Sequence, residues 1–289
     1  MRVVDILRKS GELLKSAGVE EYELDSRLLL EFVLGKSRTE IFLAAERFLT
    51  EDEMSHFENL ISRRQKREPV AYIIGEQEFW SLTFNVTPDV LIPRPETEFL
   101  LEQVFSKTTK ENISIGRIID LCCGSGVIAA ILAQETGQKV YGVDVSEKAL
   151  HVCQSNLNRH GLTDKVQLIQ SDLLSAFCKS AWCSLVVSNP PYVSHIDVKD
   201  NLEPEVEQFE PHLALDGGAR GMELITIIRE QLEHILIPGG QLFLEFGADQ
   251  GHEIAELFIN KTGDNRGFSS IEILQDYAGR DRVIHAIKN

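Results

Sequence analysis

The spacing of hydrophobic and polar positions changes along this chain. Through the first 75 residues, apolar side chains recur at helical intervals, and Gly18 and Gly35 stand where two such stripes end. Thr50, followed three residues later by Glu53, has the pattern of a helix N-cap. We therefore predict a bundle of four or five short helices. The predicted apolar stripes are Val3 to Leu14, Leu24 to Val33, Ile41 to Phe48, and Met54 to Ile61.

The next segment has a different pattern. Residues 78–86 alternate and are rich in aromatic and β-branched side chains, which predicts a strand or hairpin. Two prolines then exclude regular structure until Glu96, and a helical pattern resumes over Thr97 to Phe105. We place the domain junction here. The predicted organisation is a helical domain at 1–75, a hairpin and linker at 76–95, and a second domain at 96–289.

From Arg117 onward, buried strands and amphipathic helices alternate, which predicts an α/β fold with a parallel, doubly wound sheet. Two successive strands near the end predict an antiparallel edge pair, giving a seven-stranded Rossmann-like sheet. The predicted strands are 117–121, 139–143, 166–170, 184–187, 241–246, 270–274 and 282–287. The predicted helices are 127–134, 146–160, 224–235 and 253–260, with a turn at Pro238 to Gly240.

Charge and composition exclude several classes of protein. The 289 residues include 29 basic and 45 acidic side chains, a net charge of −16, which disfavours binding a polyanion through a broad basic surface. No apolar run approaches the roughly 20 residues that a membrane span needs, and no signal-peptide core is present. Five cysteines without a CxxC pair favour reduced thiols, no metal site and a cytoplasmic location.

The first strand of the α/β region leads into the segment DLCCGSG, residues 120–126. Gly124 and Gly126 allow the backbone to turn tightly and approach a ligand at a helix N-terminus. Asp144 ends the second strand, where it can accept ribose hydroxyls, and Asp172 ends the third, near the amino group of an adenine. The pattern indicates an adenosine-containing cofactor. A dinucleotide and S-adenosylmethionine fit it equally well.

The segment Asn189-Pro190-Pro191-Tyr192 follows the fourth strand, at the sheet edge where α/β folds bind ligands. Such a rigid loop suits methylation of a planar amino group. The Asn189 side-chain oxygen and the Pro190 carbonyl would accept its two N–H bonds, and the Tyr192 ring would pack on its flat face. We therefore predict Asn189, Pro190 and Tyr192 as catalytic residues and favour S-adenosylmethionine as the cofactor.

Together these motifs resemble the S-adenosylmethionine-dependent amino-methyltransferases. Nearly the whole chain is similar to one branch, the peptide chain release factor glutamine methyltransferases, or PrmC/HemK family. The resemblance includes the helical first domain, and NPPY alone is specific only to the wider class. The other segments that carry it are EPVAYIIG at 68–75, LIPRPETE at 91–98, EPHLALDGG at 210–218 and DYAGRDR at 276–282.

The resemblance implies methyl transfer to the glutamine side chain of a release factor's Gly-Gly-Gln motif, with the helical domain holding the release factor. It implies that Asp172 and Leu173 flank the adenine and that residues 189–192 seat the glutamine. The other residues implied to hold the cofactor are Cys122, Cys123, Gly124, Ser125, Gly126 and Asp144, with Asn189.

This chain departs from the family pattern at two positions. The family usually has glycine at the position of Cys122, so the loop requires a backbone angle compatible with a side chain. It often has an aromatic residue at the position of Leu173. The roles of Arg94, Glu96 and Glu98 stay open between shaping the site and capping a helix.

Three rival functions remain in view. A nucleic-acid amino-methyltransferase requires a basic groove, yet residues 197–223 contain eight acids and two bases, which disfavours direct nucleic-acid binding. A dinucleotide oxidoreductase requires a hydride-transfer partner, such as a catalytic histidine or a Tyr-Lys arrangement. No such arrangement is recognisable around the eight histidines. A non-catalytic adaptor is disfavoured by the intact NPPY.

Overall fold

A computed structural model describes residues 1–110, 116–200, 202–259 and 267–289. The chain divides into two compact units. The first unit consists of Met1–Glu76 and Glu203–Phe209, and the second of Gln77–Leu202 and Glu210–Asn289.

The first unit is a bundle of short helices, as the periodicity predicts. Its core is apolar and includes the fully buried Leu14, Leu29 and Phe57. The glycine predicted to end the second helix, Gly35, is its left-handed C-cap, and Thr50 and Glu53 form a reciprocal capping box. The helices from the first 76 residues are α1 (Val3–Ser16), α2 (Tyr22–Leu34), α3 (Arg38–Leu43), α4 (Glu51–Arg64) and α5 (Val70–Ile74).

The predicted apolar stripe Ile41 to Phe48 is wrong beyond Leu43, where α3 ends. The following residues pair with the chain start instead: the Val3 N–H donates to the Arg47 carbonyl at 2.9 Å, and an isolated bridge joins Arg2 to Phe48. Because these backbone bonds are made with a distant segment, the local spacing of apolar residues could not reveal them.

The second unit contains a seven-stranded sheet with strand order β5-β4-β3-β6-β7-β9-β8. Strands β3 to β7 are parallel, whereas β9 runs antiparallel to both β7 and β8, which confirms the predicted fold and edge pair. A two-stranded hairpin of β1 (Glu76–Phe79) and β2 (Leu82–Asn85) precedes the sheet. The seven strands are β3 (Ile118–Leu121), β4 (Val140–Asp144), β5 (Val166–Gln170), β6 (Cys183–Ser188), β7 (Leu236–Glu245), β8 (Phe268–Gln275) and β9 (Asp281–Lys288).

Helices cover both faces of this sheet. Successive residues of β3 show why, since Ile118 belongs to one buried apolar cluster and Ile119 to another. A short 3₁₀ helix spans His212–Ala214. The predicted end of the last helix, Asn260, lies outside the described residues. The later helices are α6 (Pro95–Lys110), α7 (Val127–Thr136), α8 (Glu147–His160), α9 (His195–Asp200), α10 (Pro204–Phe209), α11 (Glu223–Ile235) and α12 (Gly251–Phe258), of which α10 belongs to the first unit.

The turn predicted at Pro238 to Gly240 is wrong, because these residues lie inside β7. The pairing of β6 with β7 skips there: Cys183 pairs with Leu236, and Leu185 pairs with Gln241. Gly239 adopts a φ of +76°, which allows the extra residues to bulge from the strand without ending it.

Candidate active site

A cavity of about 550 Å³ opens at the carboxyl edge of the parallel strands in the second unit. The loops after β3, β4, β5 and β6 all contribute to its lining, together with residues before and within the start of α6. Gly126, Pro190 and Tyr192 are not among the described residues that line it. The predicted site residues that do line it are Cys122, Cys123, Gly124, Ser125, Asp144, Asp172, Leu173, Asn189 and Pro191.

The loop after β3 turns tightly into α7. Gly124 and Gly126 have φ angles of +51° and +82°, the left-handed region that glycine enters at little cost. Cys122 also lies in the left-handed region, at φ +62°. The loop therefore keeps the backbone angle that favours glycine, although this position carries a side chain. The expectation of a backbone angle compatible with a side chain is wrong. Burial raises the pKa of the Cys122 thiol, which therefore stays protonated at neutral pH.

Asp144 ends β4 and supports this loop. Its Oδ2 accepts the Gly124 N–H and its Oδ1 accepts the Ser146 N–H, both at 2.9 Å. Burial raises the pKa of this carboxyl, and the two backbone bonds act in the opposite direction. Each oxygen has a second lone pair for a further donor, such as a ribose hydroxyl.

The loop after β6 is fixed by side chains as well as by its prolines. The Ser188 hydroxyl donates to the Leu121 carbonyl at 2.8 Å, and the Asn189 Nδ2 donates to the Thr97 Oγ1 at 3.0 Å. The Tyr192 hydroxyl donates to the Glu245 Oε1 at 3.2 Å. The tyrosine is therefore held by its polar end, while Asn189 lies at the cavity.

Sequence reasoning missed several supporting residues. Asn156 is fully buried on α8, and its Nδ2 donates to the Ser125 carbonyl at 2.9 Å. Asp120 is fully buried beneath the loop, where burial raises its pKa to about 8, so it adds no full charge to the cavity at neutral pH. The acids Asp120 and Glu245, each within an apolar strand, were the signals in the sequence that could have indicated buried polar contacts.

The three residues with open roles make structural contacts. Arg94 forms an ion pair with the buried Glu210, whose other oxygen accepts the Ile92 N–H at 3.2 Å. Glu98 accepts the Trp80 N–H at 2.6 Å, where the hairpin turns at a left-handed residue. Glu96 lies 3.4 Å from an Arg280 nitrogen. Of the three, Arg94 also lines the cavity.

This strand order, with a glycine-rich loop and NPPY at one sheet edge, defines the class of S-adenosylmethionine-dependent methyltransferases. Residues 95–245 match the family model described as the methyltransferase small domain, and residues 5–75 match the PrmC N-terminal domain. The chain belongs to the release factor glutamine methyltransferase family, and its cofactor is S-adenosylmethionine.

Relatives support this assignment along the full length. The release factor glutamine methyltransferase of Caulobacter vibrioides is 36% identical over 277 residues, covering 96% of this chain and 93% of its own. That of Clostridium botulinum is 34% identical over 290 residues and is covered completely, as is this chain. A methyltransferase from Pyrococcus furiosus shares the fold with a TM-score of 0.51 at 17% identity, over 80% of this chain and 99% of that one.

The cavity residues fit this cofactor. A volume of about 550 Å³ is ordinary for a site of this ligand size. The Asp144 carboxylate offers its remaining lone pairs to a ribose, while apolar side chains such as Leu173 and Ile128 line the same space. No helix in the described ranges is long and apolar enough to cross a membrane.

Proposed function

We propose that this chain transfers a methyl group from S-adenosylmethionine to the side-chain amide nitrogen of the glutamine in the Gly-Gly-Gln motif of peptide chain release factors. The observation that carries this proposal is the placement of Asn189. Its anchored amide lies at the same cavity as the glycine-rich loop and Asp144, so that a donor and an acceptor can meet there.

An amide nitrogen is a poor nucleophile because its lone pair is delocalised into the carbonyl group. The Asn189 Oδ1 and the Pro190 carbonyl accept its two N–H bonds, which turns the lone pair toward the methyl donor. Fixed acceptors of this kind stabilise charge that develops in the transition state, and losing one comparable group costs about 2.7–4 kcal/mol. The Tyr192 ring packs on the flat face of the amide.

When bound, S-adenosylmethionine would supply an electrophilic sulfonium methyl; its S–CH₃ bond would break as the N–C bond formed, leaving a neutral thioether, and the amide nitrogen would give one proton to water. The protein's own contribution is to hold the reactants in line, which is worth up to about 7–11 kcal/mol. The residues proposed to bind the cofactor are Cys122, Cys123, Gly124, Ser125, Gly126, Asp144, Asp172, Leu173 and Asn189.

The charge distribution favours a protein substrate over nucleic acid. Residues 197–223, directly after the acceptor loop, contain eight acids and two bases, a net charge of −6. A phosphate backbone approaching this segment would be repelled, and the steep salt dependence of nucleic-acid binding requires basic contacts. A glycine-rich protein loop meets no such penalty.

The two parts of the chain have separate roles in this proposal. The helical domain, residues 1–75, holds the release factor; residues 76–95 form the hairpin and linker; and residues 96–289 carry out methyl transfer. The match of residues 5–75 to the PrmC N-terminal domain supports this division. A cytoplasmic location follows from the substrate, and the free thiols of Cys122 and Cys178 agree with it.

Replacing the proposed acceptor residue tests the assigned role. Asn189→Ala should abolish methyl transfer while S-adenosylmethionine, measured by calorimetry, still binds. Asn158→Ala, at an exposed asparagine on α8, is the matched control and should behave as wild type. Unchanged turnover in Asn189→Ala would show that Asn189 has no part in the reaction.

A further inference from the structure

A chain of hydrogen bonds runs from the acceptor loop into the core of the second unit. The Asn189 Nδ2 lies 3.0 Å from the Thr97 Oγ1, which in turn lies 2.9 Å from the Glu245 Oε2. Thr97 is 3% exposed and Glu245 is fully buried, so water does not compete for these bonds. Of the three hydrogen-bonded residues, Asn189 lies on the acceptor loop, Thr97 on α6 and Glu245 at the end of β7.

The Glu245 carboxylate fixes which group donates in each of these hydrogen bonds. An ionised Glu245 can only accept hydrogen bonds, so the Thr97 hydroxyl must donate its single proton to it. The Thr97 oxygen can then only accept from Asn189, and the group that donates must be the Nδ2 amide. The two ends of an amide are opposed, so Oδ1 is turned away from Thr97.

We propose that Glu245, acting through Thr97, is a positioning residue that fixes the Asn189 amide with its oxygen toward the substrate nitrogen. This rests on the proposed function. A flipped amide would present two N–H donors to a substrate that also donates, and the acceptor geometry would be lost. A neutral partner in place of Glu245 would not impose this choice, because it could donate to Thr97 as well as accept.

The same carboxylate also holds the other end of the acceptor loop. Its Oε1 accepts the Tyr192 hydroxyl at 3.2 Å, while Oε2 accepts Thr97. Asn189, through Thr97, and Tyr192, directly, are therefore both anchored to one buried group. Loss of that group should disturb orientation at Asn189 and at Tyr192 together.

The charge of Glu245 responds to pH near neutrality. Burial raises its pKa to about 7, against the opposing effects of Thr97, Arg282 and Tyr192. Arg282 on β9 and Glu96 on α6 are the charged groups that act on it, the first favouring and the second disfavouring ionisation. The ionised form that imposes the direction is therefore lost as the pH falls through about 7.

The test compares variants on full-length protein with a purified release factor as substrate. Thr97→Val removes the hydroxyl at constant shape, and Thr97→Ser returns it. Thr108→Val is the matched control on the same helix, since Thr108 is also buried and its hydroxyl donates to the Val104 carbonyl at 2.7 Å. Glu245→Gln removes the charge and keeps the size.

We expect Thr97→Val to lose about 10- to 100-fold in kcat, the effect of one buried hydrogen bond to a reacting group, while the Kd for S-adenosylmethionine stays unchanged. Thr97→Ser should recover most of that loss, and Thr108→Val should keep wild-type kcat. The wild-type kcat should fall from pH 8 to pH 6 with a midpoint near 7, and Glu245→Gln should abolish that dependence.

Wild-type kcat in Thr97→Val, or an unchanged pH midpoint in Glu245→Gln, would overturn the positioning role. If Thr97→Val lowers the melting temperature, the pH profile of Glu245→Gln below both melting transitions decides the matter. Failure of the proposed function is distinct, because the wild-type protein would then transfer no methyl group to the release factor at any pH.

Discussion

Gly126 makes the strongest steric demand in the glycine-rich loop. A Cβ built on it would overlap the Cys153 Sγ and would lie 3.3 Å from the Cys153 Cβ on α8. Gly124 has the same left-handed backbone, at φ +51°, but a Cβ there would meet nothing within 4 Å. Comparing alanine substitutions at these two glycines therefore separates the cost of the backbone angle from the cost of the steric overlap.

Both alanine substitutions place a side chain in the left-handed region, which costs about 1–2 kcal/mol. Gly126→Ala adds the overlap with the fully buried Cys153, and overpacking of this kind costs about 1–3 kcal/mol more. We therefore expect Gly124→Ala to lower the free energy of unfolding by about 1–2 kcal/mol and Gly126→Ala by about 2–5 kcal/mol.

Urea unfolding followed by circular dichroism measures both losses, and calorimetry measures S-adenosylmethionine affinity alongside. In a double-mutant cycle, Cys153→Ala should relieve part of the Gly126→Ala penalty, because it removes the overlapping sulfur. Equal losses for Gly124→Ala and Gly126→Ala, or simple additivity in the cycle, would refute the steric reasoning.

Three further predictions follow from the contacts of charged groups. Asp144→Ala should weaken S-adenosylmethionine binding by at least about 100-fold in calorimetry, since charge-assisted bonds contribute about 1.5–3 kcal/mol each; an unchanged Kd would exclude Asp144 from the cofactor site. Arg64→Met should lower the free energy of unfolding of the helical unit by about 3–5 kcal/mol, because it leaves the buried Asp25, at 2.7 Å from Arg64, without its ion-pair partner, while Glu205 keeps Arg67; equal denaturation midpoints would contradict this. The pKa of Glu245 is raised from 4.5 to about 7, so its contribution to stability is complete below pH 4.5 and is lost as the pH rises to about 7. In urea titrations across that window, the wild type should therefore lose on the order of 2–3 kcal/mol in the free energy of unfolding relative to Glu245→Gln. A constant difference between the two proteins would contradict the assigned pKa.

The sequence predicts the elements that local pattern determines. The strand patterns of β3 to β6 and the apolar stripes of α1, α2 and α4 are each specified by their own residues, and the paired strands at the end predict the antiparallel edge. The short helices α9 and α10, between the acceptor loop and residue 210, carry too few apolar residues for a periodic signal.

The residues that line the cavity were easier to predict than those that support them. Asp144 and Asn189 follow strands in motifs that bind ligands at a sheet edge. Thr97 and Glu245 act on Asn189 from positions 92 and 56 residues away in sequence, and only the folded sheet brings them into contact. A buried acid in a strand indicates that it has a hydrogen-bond or ionic partner, but the sequence does not identify which residue that partner is.

Incubation of the protein with methyl-labelled S-adenosylmethionine and a purified release factor tests the central claim most directly. Wild-type release factor should be compared with a Gln→Ala variant of its Gly-Gly-Gln motif, with ribosomal RNA and DNA as further acceptors. Label on the wild-type release factor alone is the predicted result. Label on both release factors, on neither, or on nucleic acid instead would contradict it.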